Sequence, residues 1–264
     1  MDTTRSPDGT SIAYDRAGTG PAVVLVDAAC CFRGFGPMRQ LAELLTGDFT
    51  VFTYDRRGRG DSTDTEPYAV RREVEDLQAV IEAAGGAAAV YGFSSGAVLA
   101  LHAAAAGVTI SRLALLEPPV ILQDVPAPPS DLEAELAELI AAGRRGDAIE
   151  HFHRGIGVPE AMVAGLRQDP AWPALADLAH TLAYDLRVTG SMTTRLLSTV
   201  TVPTLVIDST GSDQRLRTWA VGVAAQLPDS EHRTLPGEWH GPASDTLAAT
   251  LTDFLATAVE PRTP

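Results

Sequence analysis

The chain has 264 residues, 45% of them hydrophobic, enough to bury a sizeable core as one domain or as one domain with an insertion. Its formal charge of −14 repels phosphate backbones and anionic lipid surfaces, so neither nucleic acid nor a membrane is an expected partner; the one small basic cluster is Arg56, Arg57 and Arg59. It contains no lysine and no asparagine, which excludes lysine Schiff bases, pyridoxal phosphate anchoring, a Walker lysine and N-linked glycosylation.

The opening stretch, MDTTRSPDGT, has neither the basic nor the apolar region of a secretion signal, and no run of about 18 apolar residues occurs later. A soluble, cytoplasmic chain is the expectation. After a turn at Pro7-Asp8-Gly9, SIAYDRAG alternates as a strand, and AVVLVDA is a continuous apolar run of the kind that a parallel strand buried on both faces requires. The two cysteines, Cys30 and Cys31, follow directly. A bond between adjacent cysteines is strained, so a reducing compartment fits and a thiolate zinc site does not. Packing in the core is their expected role, lining a pocket the alternative.

Further strands are expected at FTVFTYD, AAVYGF, ISRLALLE and VPTLVIDS. Between them Val70, Val74, Leu77, Ile81 and Ala84 fall at helical spacing and stop at Gly85-Gly86, and the alanine-rich run from Gly96 to Ala106 reads as a helix buried nearly all round. Strands alternating with helices give a parallel sheet with helices on both faces. The pattern breaks between Pro118 and Ser130, which hold five prolines. Ser130 and Glu133 form a capping box opening DLEAELAELIAAG, and helical segments continue through AMVAGLRQ and ALADLAHTLAYDLRV before the strand at Val202. Helices inserted between two core strands read as a cap entering at the loop end of the sheet. The expected architecture is α/β, a mostly parallel, doubly wound sheet with a helical cap inserted between two of its strands. Its parts are residues 1–119 (core), 120–200 (helical cap) and 201–264 (core).

The stretch Gly92-Phe93-Ser94-Ser95-Gly96 lies between an expected strand and an expected helix. A turn that sharp leaves no room for side chains two positions either side of its centre, and it lifts Ser94 above the carboxyl ends of the strands. Ser95 instead offers its backbone N–H, at the positive end of a helix, to a developing oxyanion. A serine hydroxyl needs a base to accept its proton. His102 lies within the helix, His151 and His153 are two apart where a helical metal pair needs i, i+4 spacing, His180 is in the inserted region and His232 precedes the last strand. His240 stands in a loop.

With these residues in view, the chain resembles the α/β-hydrolase family over nearly its whole length. YDRRGRGDS is similar to the family's loop after its fourth strand, GFSSG to its nucleophile elbow and LPGEWHG to its histidine loop. The order of serine, cap, Asp-bearing strand and histidine agrees. The Ala- and Arg-rich composition, with EPP after the strand following the elbow, resembles a group of small actinobacterial-type hydrolases within it. The resemblance implies a sheet of about eight strands with the cap after the sixth, Ser94 as nucleophile, His240 as general base, a carboxylate to orient it, and neither a metal nor an organic cofactor.

For the acid, the family's common placement lies in TLVIDSTGSDQ, where the expected position falls on Ser212, which is no acid. Asp213 and Asp208 are the nearby candidates. The family's other placement, after the strand that follows the elbow helix, gives Glu117 in LALLEPPV, which is placed first; a strand-end carboxylate in water is its bland alternative. Many members have His-Gly where this chain has Asp27-Ala28, so the second oxyanion donor falls on the N–H of Ala29. An ionised Asp27 would oppose oxyanion charge unless it points away or is neutralised, by Arg33 or Arg56. The arginines of DRRGRGDS either grip an anionic substrate or, as expected, pair with surface acids. Phe152, Met162, Trp172, Tyr184 and Met192 recur at helical spacings and are expected in the core, some roofing a mostly apolar pocket.

The expected function is a serine hydrolase of the carboxylic ester type, cleaving an ester, thioester or lactone of a small apolar molecule through an acyl-enzyme on Ser94. His240 relays the proton, Glu117 orients His240, and the N–H groups of Ala29 and Ser95 form the oxyanion hole. A small-molecule substrate is the one expected partner, and oligomeric state is not legible. Two other readings stay open: a non-hydrolytic tailoring enzyme catalysing cyclisation, acyl transfer or carbon–carbon cleavage, and a disabled small-molecule binding protein.

Overall fold

The apolar runs become the centre of one twisted sheet. The structure, a computed structural model, describes residues 1–126 and 131–256. Among them eight strands, β1 (Asp2–Arg5), β2 (Ser11–Ala17), β3 (Ala22–Val26), β4 (Thr50–Tyr54), β5 (Ala88–Phe93), β6 (Ile110–Leu116), β7 (Thr204–Ser209) and β8 (Ser230–Leu235), lie in the order β1-β2-β4-β3-β5-β6-β7-β8. The pairs β1/β2 and β2/β4 are antiparallel and every other pair is parallel. The helices are α1 (Met38–Leu45), α2 (Val70–Ala83), α3 (Ser95–Ala105), α4 (Asp131–Ala141), α5 (Arg145–Gly155), α6 (Glu160–Leu166), α7 (Trp172–Asp177), α8 (Leu182–Gly190), α9 (Thr194–Leu197), α10 (Gln214–Gln226) and α11 (Ser244–Leu255).

Alternation along β3 divides the core in two. Val24 and Val26 pack with Leu77 and Val80 of α2, the buried run of α3 and Val223 of α10, whereas Val23 and Leu25 pack with Leu41 of α1 and Leu251 of α11. A strand covered on both faces has no polar side to show, which is why AVVLV reads as an unbroken apolar run. The helix expected from Gly96 to Ala106 begins one residue earlier, at Ser95, and His232, expected ahead of the last strand, lies inside β8. No helix among the described residues is long and apolar enough to cross a membrane.

Helices α4 to α9 occupy the interval between the sixth and seventh strands. Glu133 stands in the first turn of α4, while Ser130, its expected capping partner, lies outside the described residues. The inserted helices build an apolar cluster of their own, with Leu136, Ile149, Phe152, Leu175 and Leu182 at its heart, and its floor is supplied by Ala29, Cys30, Phe32 and Phe35 from the segment after β3. Phe152, Tyr184 and Met192 are buried as expected and Trp172 is half-buried. Met162 is not: it is 49% exposed on α6, whose inward position is taken by Val163.

The arginines after β4 correct a second expectation. Arg56, Arg57 and Arg59 pair with acids, but these acids are inside the molecule: Arg56 holds Glu73 through two contacts of 2.6 and 2.8 Å, Arg57 holds Asp76 at 2.7 and 2.8 Å, and Arg56 and Arg59 share Asp185 of α8 at 2.7 and 2.6 Å. A buried guanidinium must be paired, so the loop reaches for whichever helices bring it a carboxylate. Beside this link the rings of Tyr68 and Tyr184 stack at 3.7 Å, which fastens α8 against the core.

The inserted cluster gives a direct check. Phe152→Ala removes a fully packed ring and is expected to destabilise by about 3–5 kcal/mol, whereas Met162→Ala is expected to stay within about 0.5 kcal/mol of the parent. Urea unfolding followed by circular dichroism measures both, and a large loss at Met162 would show that its side chain is covered.

Candidate active site

Strand β5 ends by turning abruptly into α3, and Ser94 is the residue at the turn. Its N–H donates to Leu116 O at 2.9 Å and its own carbonyl accepts from Ala97 N–H at 2.9 Å, so the backbone is held at φ 53°, ψ −121°. A Cβ on Gly96 would overlap the carbonyl oxygens of Val26 and Asp27, and one on Gly92 would overlap Ala97 Cα. Only glycine lets α3 approach the end of β3 this closely. The N–H of Ser95 is the first of the helix and has no intrahelical acceptor.

Four non-glycine residues among those described have positive φ: Cys30 (59°), Ser94 (53°), Glu117 (44°) and His240 (58°). Each such residue costs on the order of 1–3 kcal/mol and persists only where its surroundings over-determine it. Three of the four are the expected nucleophile, acid and base, and the fourth adjoins the expected oxyanion donor Ala29.

Glu117 directly follows β6 and is fully buried. Its N–H donates to Ile207 O, its Oε1 accepts from Ser209 N–H at 2.8 Å, and its Oε2 lies 2.6 Å from His240 Nδ1. A carboxylate acceptor there places the ring proton on Nδ1 and leaves Nε2 as the free lone pair. His240 owes its position to a short hairpin, β9 (Gly237–Glu238) paired with β10 (Gly241–Pro242), of which Trp239 and His240 are the two loop residues. Its N–H donates to Ser212 Oγ at 2.8 Å, and its ring rests against Phe93, the residue before the nucleophile, with centroids 4.7 Å apart.

The other acid candidates have other partners. Asp213 caps α10, its Oδ1 accepting from Leu216 N–H at 3.0 Å, and Asp208 is buried in β7 facing Arg217 and His232. Ser212, which stands where the family's common acid is expected, holds the backbone of His240 instead. His102 donates to Val188 O, His151 contacts Glu135 and His153 donates to Ile149 O. Among the described residues no group of three or more His, Cys, Asp or Glu could hold a metal ion.

Ala29 lies in a tight turn closed by Cys31 N–H on Ala28 O at 3.3 Å, with Cys30 at the position where positive φ is required. The N–H of Ala28 is taken by Asp27 Oδ1 at 3.0 Å, while that of Ala29 makes no hydrogen bond among the described residues. The Asp27 side chain leaves β3 on the α1 face, where it borders a cavity of about 280 Å³ with Leu25, Arg33, Met38 and Tyr54. Neither Arg33 nor Arg56 pairs with its carboxyl. Arg33 is held by Asp15, Asp55 and Asp61, and Arg56 by Glu73 and Asp185. Burial instead raises the Asp27 carboxyl to about 7, against the pull of the Ala28 N–H and of Arg59, so a proton neutralises it in place of an arginine. Burial also raises both thiols, Cys30 to about 12, which leaves them packing groups and not thiolates.

Sequence reasoning missed Asp185 and Glu73, and gave Ser212 no part in holding His240. Glu73 had a signal: with Asp76 it stands on the same face of α2 as Leu77 and Val80, so two acids sit on the helix's buried side. Asp185 had none, since its partners Arg56, Arg59 and Ser95 lie 90 or more positions away.

A model of the alpha/beta hydrolase family matches residues 10–251. An alpha/beta hydrolase from Sphaerobacter thermophilus DSM 20745 is 47% identical, over 96% of this chain and 99% of that one, with a TM-score of 0.88. The esterase RhEst1 from Rhodococcus sp. ECU1013 is similar at 20% identity, over 97% and 98% of the two chains, with a TM-score of 0.70. The enol-lactonase from Burkholderia xenovorans LB400 is similar at 18% identity, over 97% and 100%, with a TM-score of 0.72. At 20% and 18% the likeness is one of fold.

The proton on Asp27 has a measurable consequence. The folded protein keeps a proton that the unfolded chain releases near the ordinary value of 3.8, so this group's stabilising contribution is complete below that value and is lost as pH rises through about 7. Asp27→Asn abolishes the dependence. Relative to the parent, the variant is expected to gain stability between about pH 4 and 7, by on the order of 4 kcal/mol at the upper end. Urea midpoints at either end of that window test it, and a difference independent of pH would show that Asp27 is ionised throughout.

Proposed function

The chain belongs to the alpha/beta hydrolase family, and on that premise we propose that it is a serine hydrolase cleaving an ester, thioester or lactone of a small apolar molecule through an acyl-enzyme on Ser94. The observation that carries this reading is the contact between the buried Glu117 carboxylate and His240 Nδ1, made by residues that, like Ser94, hold a positive φ. A strand-end carboxylate in water has no reason to be fully buried or to touch an imidazole.

In this mechanism Ser94 Oγ attacks the carbonyl carbon as its proton passes to His240 Nε2. The imidazolium that forms is stabilised by Glu117, whose second oxygen is fixed by Ser209 N–H. Charge developing on the carbonyl oxygen is met by the N–H groups of Ala29 and Ser95, the latter at the positive end of α3. Collapse of the tetrahedral intermediate expels the alcohol, thiol or tethered hydroxyl, which takes the proton from His240. Water then attacks the acyl-enzyme, giving its proton to the same nitrogen, and the acid leaves as Ser94 recovers its hydrogen.

Two features support the substrate class. Residues 120–200 act as a cap, and the apolar cluster of its helices descends onto Ala29, Cys30, Phe32 and Phe35, beside the oxyanion segment, which suits an apolar acyl or leaving group. The esterase and the enol-lactonase of the same fold act on bonds of this kind, as their names state.

A fluorophosphonate probe is expected to label the folded protein with one equivalent, and Ser94→Ala is expected to abolish labelling. On a p-nitrophenyl ester, Glu117→Gln is expected to lower kcat by about a hundredfold or more, while Asp213→Asn stays within about threefold of the parent. Absence of labelling in the folded parent would overturn the reading, and a large loss in Asp213→Asn alone would move the acid.

A further inference from the structure

The oxyanion donors proposed above are backbone groups, and a backbone group points where its peptide plane is held. A trans peptide sets its C=O and its N–H on opposite edges, so fixing the Ala28 carbonyl fixes the direction of the Ala29 N–H. That carbonyl accepts from Arg59 Nη1 at 2.6 Å, and the same nitrogen lies 3.4 Å from Cys31 O, so one guanidinium spans both ends of the turn. Arg56 Nη1 lies 3.4 Å from the neighbouring carbonyl of Asp27. On the other side of the site, Ser95 is held by its side chain, whose Oγ donates to Asp185 at 2.7 Å.

Both arms end on one carboxylate. Asp185 Oδ1 accepts from Ser95 Oγ and from Arg56 Nη1 at 2.7 Å each, and Oδ2 accepts from Arg59 Nη2 at 2.6 Å. All four side chains are almost wholly buried, where such contacts keep their strength and direction. Asp185 belongs neither to the elbow nor to the segment after β3: it comes from α8, in the inserted helices.

Resting on the reading of Ser94 as nucleophile, we infer that Asp185 is a positioning residue for the oxyanion hole: from the inserted helix α8 it holds, through Arg59 and through Ser95 Oγ, the two backbone segments whose N–H groups meet the oxyanion. Docking of α8 and assembly of the oxyanion hole are then one event. Misplacing such a donor by about 1 Å costs on the order of a hundredfold in rate, and it does so in the transition state and not in substrate binding.

Three variants reach the brace while sparing both N–H donors. Ser95→Ala removes the hydroxyl alone, Arg59→Lys keeps a charge beside Asp185 but loses the fork that also grips Ala28 O, and Asp185→Asn keeps an acceptor but not the charge. Rates are measured per fluorophosphonate-titrated site, so that loss of folded protein does not count. The expected result is a fall in kcat of about tenfold or more with KM within about threefold, and a matching rise in the inhibition constant of phenylboronic acid, whose tetrahedral adduct on Ser94 presents an oxygen to the hole. Arg57→Lys is the comparison: Arg57 lies in the same loop, pairs with Asp76 and Asp8 and touches no carbonyl between residues 27 and 31. It is expected to lower Tm with kcat per titrated site unchanged.

Unchanged kcat per site in Ser95→Ala and Arg59→Lys would overturn the inference, as would a rise in KM alone or an equal loss in Arg57→Lys. Should Asp185→Asn not fold, the other two variants decide the matter. If the parent takes no label, the nucleophile reading itself fails. A labelled, active parent with indifferent variants overturns the positioning role alone.

Discussion

The approach of helix α3 to the end of strand β3 is the constraint from which the site follows. Gly96 packs against the carbonyls of Val26 and Asp27 with no room for a Cβ, so the first turn of the helix and the segment leaving β3 share one small volume. That closeness obliges the chain to pass from β5 into α3 within a single residue, and Ser94 takes the left-handed backbone that no longer turn would need. It also brings two sets of unpaired N–H groups, one from a helix start and one from a tight turn, to the same place. The proposed nucleophile and oxyanion donors are thus consequences of one packing contact, whereas the proposed base and acid arrive independently on the hairpin after β8 and at the end of β6.

A second constraint is electrostatic. Arg56, Arg57 and Arg59 are all buried, and a buried charge is tolerable only when paired. Exchanging such a network wholesale for apolar groups is often neutral or better, while removing one partner costs about 3–5 kcal/mol. The network is therefore a restriction on geometry more than a source of stability: the inserted helices dock where Asp185 meets two guanidinium groups, and any other placement strands a charge. Two further buried carboxyls differ in what they are given. Glu117 receives the N–H of Ser209 and the His240 ring; Asp27 receives the Ala28 N–H and the Cys31 thiol, and burial keeps its proton to about 7.

How much of this was legible in the sequence depends on the range over which each interaction acts. The central strands announce themselves because burial on both faces demands apolar residues at every position, and Gly92 and Gly96 flank Ser94 because the steric demand is local. Glu117 was readable ahead of Asp213 because it ends an apolar strand before two prolines, where the resemblance allows an acid; the partners of each needed three dimensions, in which Asp213 caps a helix and Ser212 holds the backbone of His240. The arginines were visible and their partners were not. Pairing between residues 59 and 185 leaves no periodicity, and net charge alone suggested surface acids where the fold had placed internal ones. Met162 failed for a related reason, since helical spacing identifies a repeating face and not which face is inward, and on α6 Val163 takes that place.

The distribution of strain follows from the same division of labour. Glycine would remove the cost of positive φ at Ser94, Glu117 and His240, but it would remove the proposed chemistry too, so on that reading these positions must carry a side chain and bear the strain. Cys30 does no chemistry in the proposed reaction, yet glycine is absent there as well. Its side chain joins the apolar cluster of the inserted helices, and its backbone turns the oxyanion segment. A glycine would relax the turn and open a void where the inserted helices meet the core. A larger residue would bring more bulk into the same contact. A thiol held neutral by burial is small enough for the turn and apolar enough for the cluster, so the residue that shapes the proposed oxyanion loop is also one on which the inserted helices rest.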